Sequence, residues 1–272
     1  MKEAVASWRS AFLVAAGVIA IAFFIWFRTG HVAHATQSAS PSQPVPVQIP
    51  FVGCESDGQG GSVDPPTGSP KTMTMLPSIA KQLAYYSAAN GTGGLGPAGW
   101  HCFGTYGSSG TNLYISPDPI QDSDVMSGNW KGLTGPAIQI ADEDGSTSGR
   151  FDVAAVIARV FPAHSAFVQS VIAEDIQPAS SFPTGPYPGD KLTYVNNETV
   201  EFLTPPNTDG LGTHSQLVKG DQAIQGVAIL FGPDTSLLQV SMRLPANLSG
   251  LSDAIIKQAQ SDAASEASTS NN

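Results

Sequence analysis

A stretch of 17 residues near the N-terminus, Ala11–Phe27, contains no charged and no strongly polar side chain. As an α-helix it would be about 26 Å long. That length is at the short end of the transmembrane range and exceeds the usual apolar core of a signal peptide. Trp8 and Trp26 stand near its two ends, as aromatic residues do at membrane interfaces. The sequence therefore predicts a transmembrane anchor over residues 11–27, after a short cytoplasmic N-terminus over residues 1–10.

Basic residues around this segment set its expected orientation. Lys2 and Arg9 precede it, whereas Arg28 alone follows it closely. The positive-inside rule then places the N-terminus in the cytoplasm. This predicts a single-pass inner-membrane protein with its domain in the periplasm. A cleaved signal is the alternative, because Ala33-His34-Ala35 has the small-x-small pattern of a cleavage site, and cleavage near Ala35 would release a secreted protein.

Composition divides the remainder of the chain into three parts. Residues 28–50 are rich in Ser and Pro and predict a linker that holds a folded domain away from the membrane. Residues 261–272 are small and polar and predict a disordered tail. Residues 51–260 are left as a single extracytoplasmic domain. From residue 29 onward there are 9 Lys and Arg against 21 Asp and Glu, which argues against nucleic acid as a partner.

Hydrophobic periodicity predicts an α+β fold, a mostly antiparallel sheet with packed helices. Residues 78–90 suit a helix that Gly91 ends, and residues 151–161 repeat apolar side chains at helical spacing. Residues 227–231 and 238–244 alternate around a turn sequence and predict a hairpin. Residues 100–106 and 112–116 predict a second hairpin around "GSSG". Further strands are predicted over residues 137–141, 192–195 and 199–203, with a last helix from Ser252. Because strands and helices do not alternate strictly, a doubly wound sheet is not expected.

Cys54 and Cys102 are the two cysteines of the chain. His101 directly precedes Cys102, but neighbouring residues on a strand point to opposite faces, so this pair cannot form a dyad. A nucleophilic Cys102 would need His164 or His214, and the signatures usual around such a cysteine are missing. No second Cys or His lies at metal-ligand spacing. Both cysteines follow the predicted anchor, so an oxidising compartment favours a disulfide; free buried thiols are the alternative.

The acidic loop "DEDGSTSGRFD" suggests calcium binding by Asp142, Asp144 and Asp152. An EF-hand register would place Ile140 and Phe151 at the first and last ligand positions, which should be acidic, so that motif does not match. An irregular calcium site on the three aspartates remains open. The alternative is a solvated turn before a helix, with Asp152 favourably placed in the first helical turn.

The sequence carries none of the common catalytic motifs, such as a nucleophile elbow, a zinc-protease motif or a Walker loop. The Gly-rich residues 90–100 follow a predicted helix, which favours a mobile connection over a phosphate-binding loop. We therefore interpret the chain as a non-enzymatic binding or structural envelope module. The alternative is an envelope hydrolase that uses scattered residues, with His101, His164, His214 and the acidic loops at residues 118–124 and 142–152 as candidates. A cleft with two titratable groups in hydrogen-bond reach would favour the enzyme.

Four stretches together resemble a family of uncharacterised bacterial proteins. They are "IPFVGCESDGQ", "GWHCFGTYGSSG", "GRFDVAAVIARVFPAH" and "PASSFPTGPYPGDKLTY". The resemblance covers most of residues 48–260. It implies a bacterial envelope protein, and it carries over no activity, cofactor or catalytic residue to this chain.

Overall fold

A computed structural model describes residues 43–89 and 91–269 of the 272-residue chain. Its strands are β1 (Val45–Ile49), β2 (Phe51–Gly58), β3 (Lys71–Met75), β4 (Leu83–Ala88), β5 (Gly93–Pro97), β6 (His101–Tyr106), β7 (Gly110–Ser116), β8 (Ala137–Glu143), β9 (Lys191–Tyr194), β10 (Thr199–Thr204), β11 (Ile224–Phe231) and β12 (Ser236–Arg243). Its α-helices are α1 (Pro77–Ala80), α2 (Asp122–Met126), α3 (Arg150–Val160), α4 (Ser165–Ile172) and α5 (Ser252–Thr269).

The predicted N-terminal segments, residues 1–10 and the anchor at residues 11–27, lie outside the described residues. Along residues 43–89 and 91–269, no helix combines the length and the apolar content needed to cross a bilayer.

A ten-stranded sheet organises the described chain, in the order β5-β4-β2-β6-β7-β8-β12-β11-β10-β9. Its neighbouring strands run antiparallel, except that β2 is parallel to both β4 and β6. Strands β1 and β3 form a separate antiparallel pair. The structure thus confirms a mixed fold with a large, mostly antiparallel sheet. The predicted β6–β7 and β11–β12 hairpins and helix α3 are all present.

The central strands bury side chains on both faces, because successive residues of a strand point in opposite directions. We call one face the apolar face. It carries Leu113, Ile138, Ile140 and Val240, and it is covered by β4, β5 and α5. On the opposite face, α3 and α4 pack against β10 and β11, where Phe202, Ala228 and Leu230 are buried. Where this opposite face crosses β7, β8 and β12 its side chains are mostly polar, and we call that area the polar face.

The predicted helix over residues 78–90 is wrong. Helix α1 ends at Ala80, and Leu83–Ala88 forms strand β4 instead. Leu83 and Tyr86 are buried, and the Tyr86 hydroxyl donates a hydrogen bond to the Pro97 carbonyl at 2.6 Å. The conformation is decided by pairing with β2 and β5, so the non-local sheet overrides a local pattern that also fits a helix.

The glycine-rich residues 90–100 are not simply a mobile connection. Residues 93–97 form β5, an edge strand that pairs with β4 and lies against the apolar face. A side chain at Gly94 would bring its Cβ to 2.3 Å from Cδ1 of Ile140. Glycine therefore lets this strand approach the sheet closely.

Parts of the predicted linker and tail have regular secondary structure. Residues 45–49, within the predicted 28–50 linker, form β1, and Ile49 is fully buried. Helix α5 continues through Thr269, so residues 261–269 are helical rather than disordered. Ala259 and Ala263 are buried against the sheet, which explains why a sequence of small residues stays helical there. Small side chains allow close packing, although composition alone suggests a solvated tail.

A disulfide joins Cys54 to Cys102 across a sequence separation of 48, with their Cα atoms 5.4 Å apart. The predicted pairing is confirmed, and Cys102 is removed as a nucleophile. Cys54 is the last residue of β2 to pair with β4, and Glu55 begins the pairing of β2 with β6. The bond therefore fastens the sheet at the point where β2 changes partner.

Candidate functional site

A pocket of about 330 Å³ lies on the polar face, with a floor formed by β7, β8 and β12. Ala141, on the middle strand, is paired with Asn112 on one side and with Gln239 on the other. The next inward residue of β8, Gln139, is likewise flanked by Tyr114 and Ser241. The side chain of Ala141 is only a methyl group, whereas the polar side chains around it are larger. A space is therefore left above Ala141.

Two glutamines of the floor hold one wall of the pocket. The side-chain amide of Gln239 donates hydrogen bonds to the carbonyls of Leu211 at 3.2 Å and His214 at 3.0 Å. The side-chain oxygen of Gln139 accepts a hydrogen bond from the Gln216 backbone N–H at 2.6 Å. These bonds satisfy backbone groups of residues 211–216, a segment that begins with a short 3₁₀ helix, and fix it over the sheet.

His214 is carried by this wall into the pocket lining. Burial lowers the pKa of its imidazole, and the nearby Arg159 guanidinium acts in the same direction, while Asp152 partly opposes both. The imidazole is therefore neutral at neutral pH. Arg159 itself is engaged elsewhere: it lies 4.1 Å from the centre of the Tyr187 ring and donates to the Gly185 carbonyl at 3.2 Å.

Asp152 reaches the pocket from the first turn of α3. The loop before the helix is pinned to the β6–β7 turn, because the Asp144 N–H donates to the Ser109 carbonyl at 2.8 Å. A Cβ at Gly149 would meet the same carbonyl oxygen at 2.0 Å, so only glycine fits this contact. The close approach fixes the start of α3 beside the end of β8.

Glu143, the last residue of β8, closes the floor of the pocket. Its Oε2 atom is buried and has no hydrogen-bond partner. Burial, followed by the charges of Asp152 and Asp142, raises the pKa of this carboxyl to about 8. At neutral pH it is therefore largely protonated, unlike an ordinary surface glutamate.

Tyr114 supplies the aromatic part of the lining. It is buried and makes an edge-on contact with Trp130, with ring centres 5.0 Å apart and planes at 74°. Burial raises the pKa of its phenol, the Thr105 hydroxyl lowers it, and the Glu143 charge raises it again. Tyr114 therefore presents a neutral hydroxyl group, and its ring is held in place by the contact with Trp130.

Of the three candidate histidines, only His214 reaches the pocket. His101 is exposed at the start of β6. His164 follows α3, and its Nε2 lies 3.7 Å from Oε1 of the exposed Glu198. Neither of these two lies in the pocket lining.

The three aspartates proposed for calcium are placed in different surroundings. Asp142 points away from the pocket, and burial, Glu266 and Asp144 raise its pKa to about 6. Asp144 accepts hydrogen bonds from the Ser146 N–H and hydroxyl at 2.8 and 2.7 Å. Asp152 lines the pocket. No group of three or more His, Cys, Asp or Glu side chains in the described part of the chain is placed to hold a metal ion. Calcium binding by this set stays a prediction.

Sequence reasoning included Glu143 within the acidic loop without singling it out, and it missed the polar floor. The floor residues alternate with buried apolar residues along β7, β8 and β12. Such a pattern is typical of a sheet with one solvated face. Gln139, Gln239 and Ser241 are nevertheless buried. The available signal was a glutamine near the middle of each of two strands, Gln139 on β8 and Gln239 on β12, on the face that forms the pocket floor.

Comparison of the chain with protein-family models, with curated proteins and with solved structures finds no match.

Proposed function

We propose that the chain is a membrane-anchored extracytoplasmic module that binds a small polar ligand in the pocket of the polar face. The observation that supports this most strongly is that two carboxyl groups, those of Glu143 and Asp152, line one pocket together with uncharged polar side chains and without a Lys or Arg among the described lining residues. Polar groups that converge on one cavity are typical of a ligand site.

The organisation of the floor supports a binding role. Purely structural packing would favour apolar side chains at the centre of a ten-stranded sheet, as on the opposite face. Instead, Gln139 and Gln239 use their amides to hold a wall above an open space. Pockets of about 300–1,000 Å³ with a few convergent polar groups are the usual form of a small-molecule site.

A thermal-shift screen on the full chain in detergent tests the binding role. Small neutral, cationic and anionic polar compounds are added at millimolar concentration, and a true ligand raises the melting temperature by mass action. The shift should be lost in Glu143→Gln and kept in Glu55→Gln, which makes the same change at an exposed position of β2. If no compound gives a shift that depends on Glu143, the proposal is wrong.

Anchoring is supported by the length of Ala11–Phe27 and by the disulfide, which is typical of exported proteins. We expect alkaline carbonate to leave the full-length protein in the membrane fraction, because an integral helix resists extraction. A soluble mature form that begins at Thr36 would contradict the anchor and favour the cleaved signal.

Hydrolysis is a second candidate, favoured by one observation. Glu143 and Asp152 line the same pocket, and the charge of Asp152 helps to keep Glu143 protonated. A protonated carboxyl beside a second carboxyl group is the arrangement that acid–base hydrolysis needs. Nitrophenyl glycosides and esters test it. Turnover that disappears in both Glu143→Gln and Asp152→Asn would establish the hydrolase, and its absence in the native protein would remove it.

A further inference from the structure

Charge is distributed unevenly around the pocket of the polar face. Its lining contains the carboxyl groups of Glu143 and Asp152, and none of the described lining residues is Lys or Arg. An anionic ligand would therefore meet like charge without any compensating cation. Such a ligand would also face the general field of a domain with an excess of acidic residues.

The titratable groups near Glu143 do not supply a counter-charge. Asp152 and Asp142 both add to the negative field, and Tyr114 is a neutral phenol. His214 is kept neutral chiefly by burial. Arg159, whose charge acts on His214, is held over the ring of Tyr187. No positive charge in the described lining therefore balances the negative charge that the two pocket carboxyl groups can carry.

We propose that the polar pocket binds an organic cation, whose ammonium or guanidinium group docks on the carboxyl groups of Glu143 and Asp152 that line it. This inference rests on the proposed binding role and names the ligand class. The cation donates its N–H groups to the two carboxylates, which are acceptor groups with no other cationic partner in the lining. The aliphatic part of the ligand lies against the aromatic ring of Tyr114.

Binding of this kind is coupled to a proton. Glu143 has a pKa of about 8 in the empty pocket, so at pH 7 it holds a proton that a cation displaces into solvent. The ligand itself keeps its charge. Affinity should therefore fall roughly tenfold for each pH unit below about 8.

Isothermal titration calorimetry on the full chain in a non-ionic detergent tests the inference. The probe is agmatine, which carries both an amine and a guanidinium group, with glycerol and glucose as neutral probes and acetate as the anionic probe. Repeating the titration at pH 7 in phosphate and in MOPS, which differ in ionisation enthalpy, counts the released protons. We expect agmatine to bind with close to one proton released.

Variants separate this inference from the binding role. Glu143→Gln should weaken agmatine at least tenfold and abolish proton release, whereas Glu55→Gln should change neither, and melting curves show that each variant is folded. If glycerol or glucose binds in a Glu143-dependent way and agmatine does not, the cation is wrong while the binding role stands. If agmatine binds equally well to Glu143→Gln, or without proton release, the inference is overturned. If no probe binds, both proposals fail.

Discussion

The two faces of strands β7, β8 and β12 are built from alternate residues of the same segments, yet they are stabilised differently. The apolar face, with Ile138, Ile140 and Val240, is closed by β4, β5 and α5. The polar face is also covered, but its glutamines form hydrogen bonds to the wall over residues 211–216 and leave a pocket. Burial is therefore common to both faces, whereas the buried unpartnered atoms that these three strands carry, on Glu143 and Arg243, belong to the polar face. That difference identifies the candidate site more clearly than any motif does.

The largest expected effect comes from removing the disulfide, which ties the cover of the apolar face to the main sheet. The Cys54→Ser, Cys102→Ser double variant should lose up to roughly 4 kcal/mol of unfolding free energy, since the crosslink restricts the unfolded chain. Urea unfolding with and without reductant measures it. An unchanged midpoint in both comparisons would mean that the bond contributes little.

Truncation on the apolar face should have the next largest effect. Ile140 is 2% exposed and touches the close-packed β5 strand, so Ile140→Ala should cost about 3 kcal/mol through lost burial and a cavity. Urea unfolding provides the value, and ligand binding should persist in the folded variant. A cost below about 1 kcal/mol would show that the face is less tightly packed than described.

On the polar face, Gln239→Leu should lower the free energy of unfolding by about 2 kcal/mol. Leucine has nearly the same side-chain volume but cannot donate hydrogen bonds to the two carbonyls of the wall. The loss of stability should be larger in residues 211–216 than in the domain as a whole. Amide hydrogen exchange is expected to speed up for residues 211–216 and to stay unchanged on β11. Uniform exchange rates in the variant and the native protein would contradict the role given to Gln239.

The smallest effect concerns pH and Glu143. A carboxyl whose pKa is raised from 4.5 to about 8 on folding holds its proton more tightly in the native state, so stability falls as pH rises from about 4.5 to about 8. Water reaches the pocket, and we therefore expect on the order of 1 kcal/mol. Asp142 contributes in the same direction up to about pH 6. Melting temperatures across pH 4–9 should slope less in Glu143→Gln, and equal slopes would refute the assignment.

Local sequence signals predicted the local parts of this fold. Helix α3 and the β11–β12 hairpin follow from spacings within about ten residues, and the disulfide follows from a count of two cysteines in a chain whose sequence predicts export. Strand β4 was missed because its conformation depends on β2 and β5. The pocket was missed for the same reason. Its floor exists only in the register of three strands, which no single segment encodes.

The pairing of β8 with β12 has a consequence for the order of assembly. Ile140 lies opposite Val240, about 100 residues later in the chain, so the centre of the sheet cannot close until the second half has been synthesised. A nascent chain that stops before β12 holds β7 and β8 without their partner, and it has no complete floor for the pocket. Such distant contacts form slowly. A chain that binds a ligand in this pocket would therefore have been synthesised through β12 and folded.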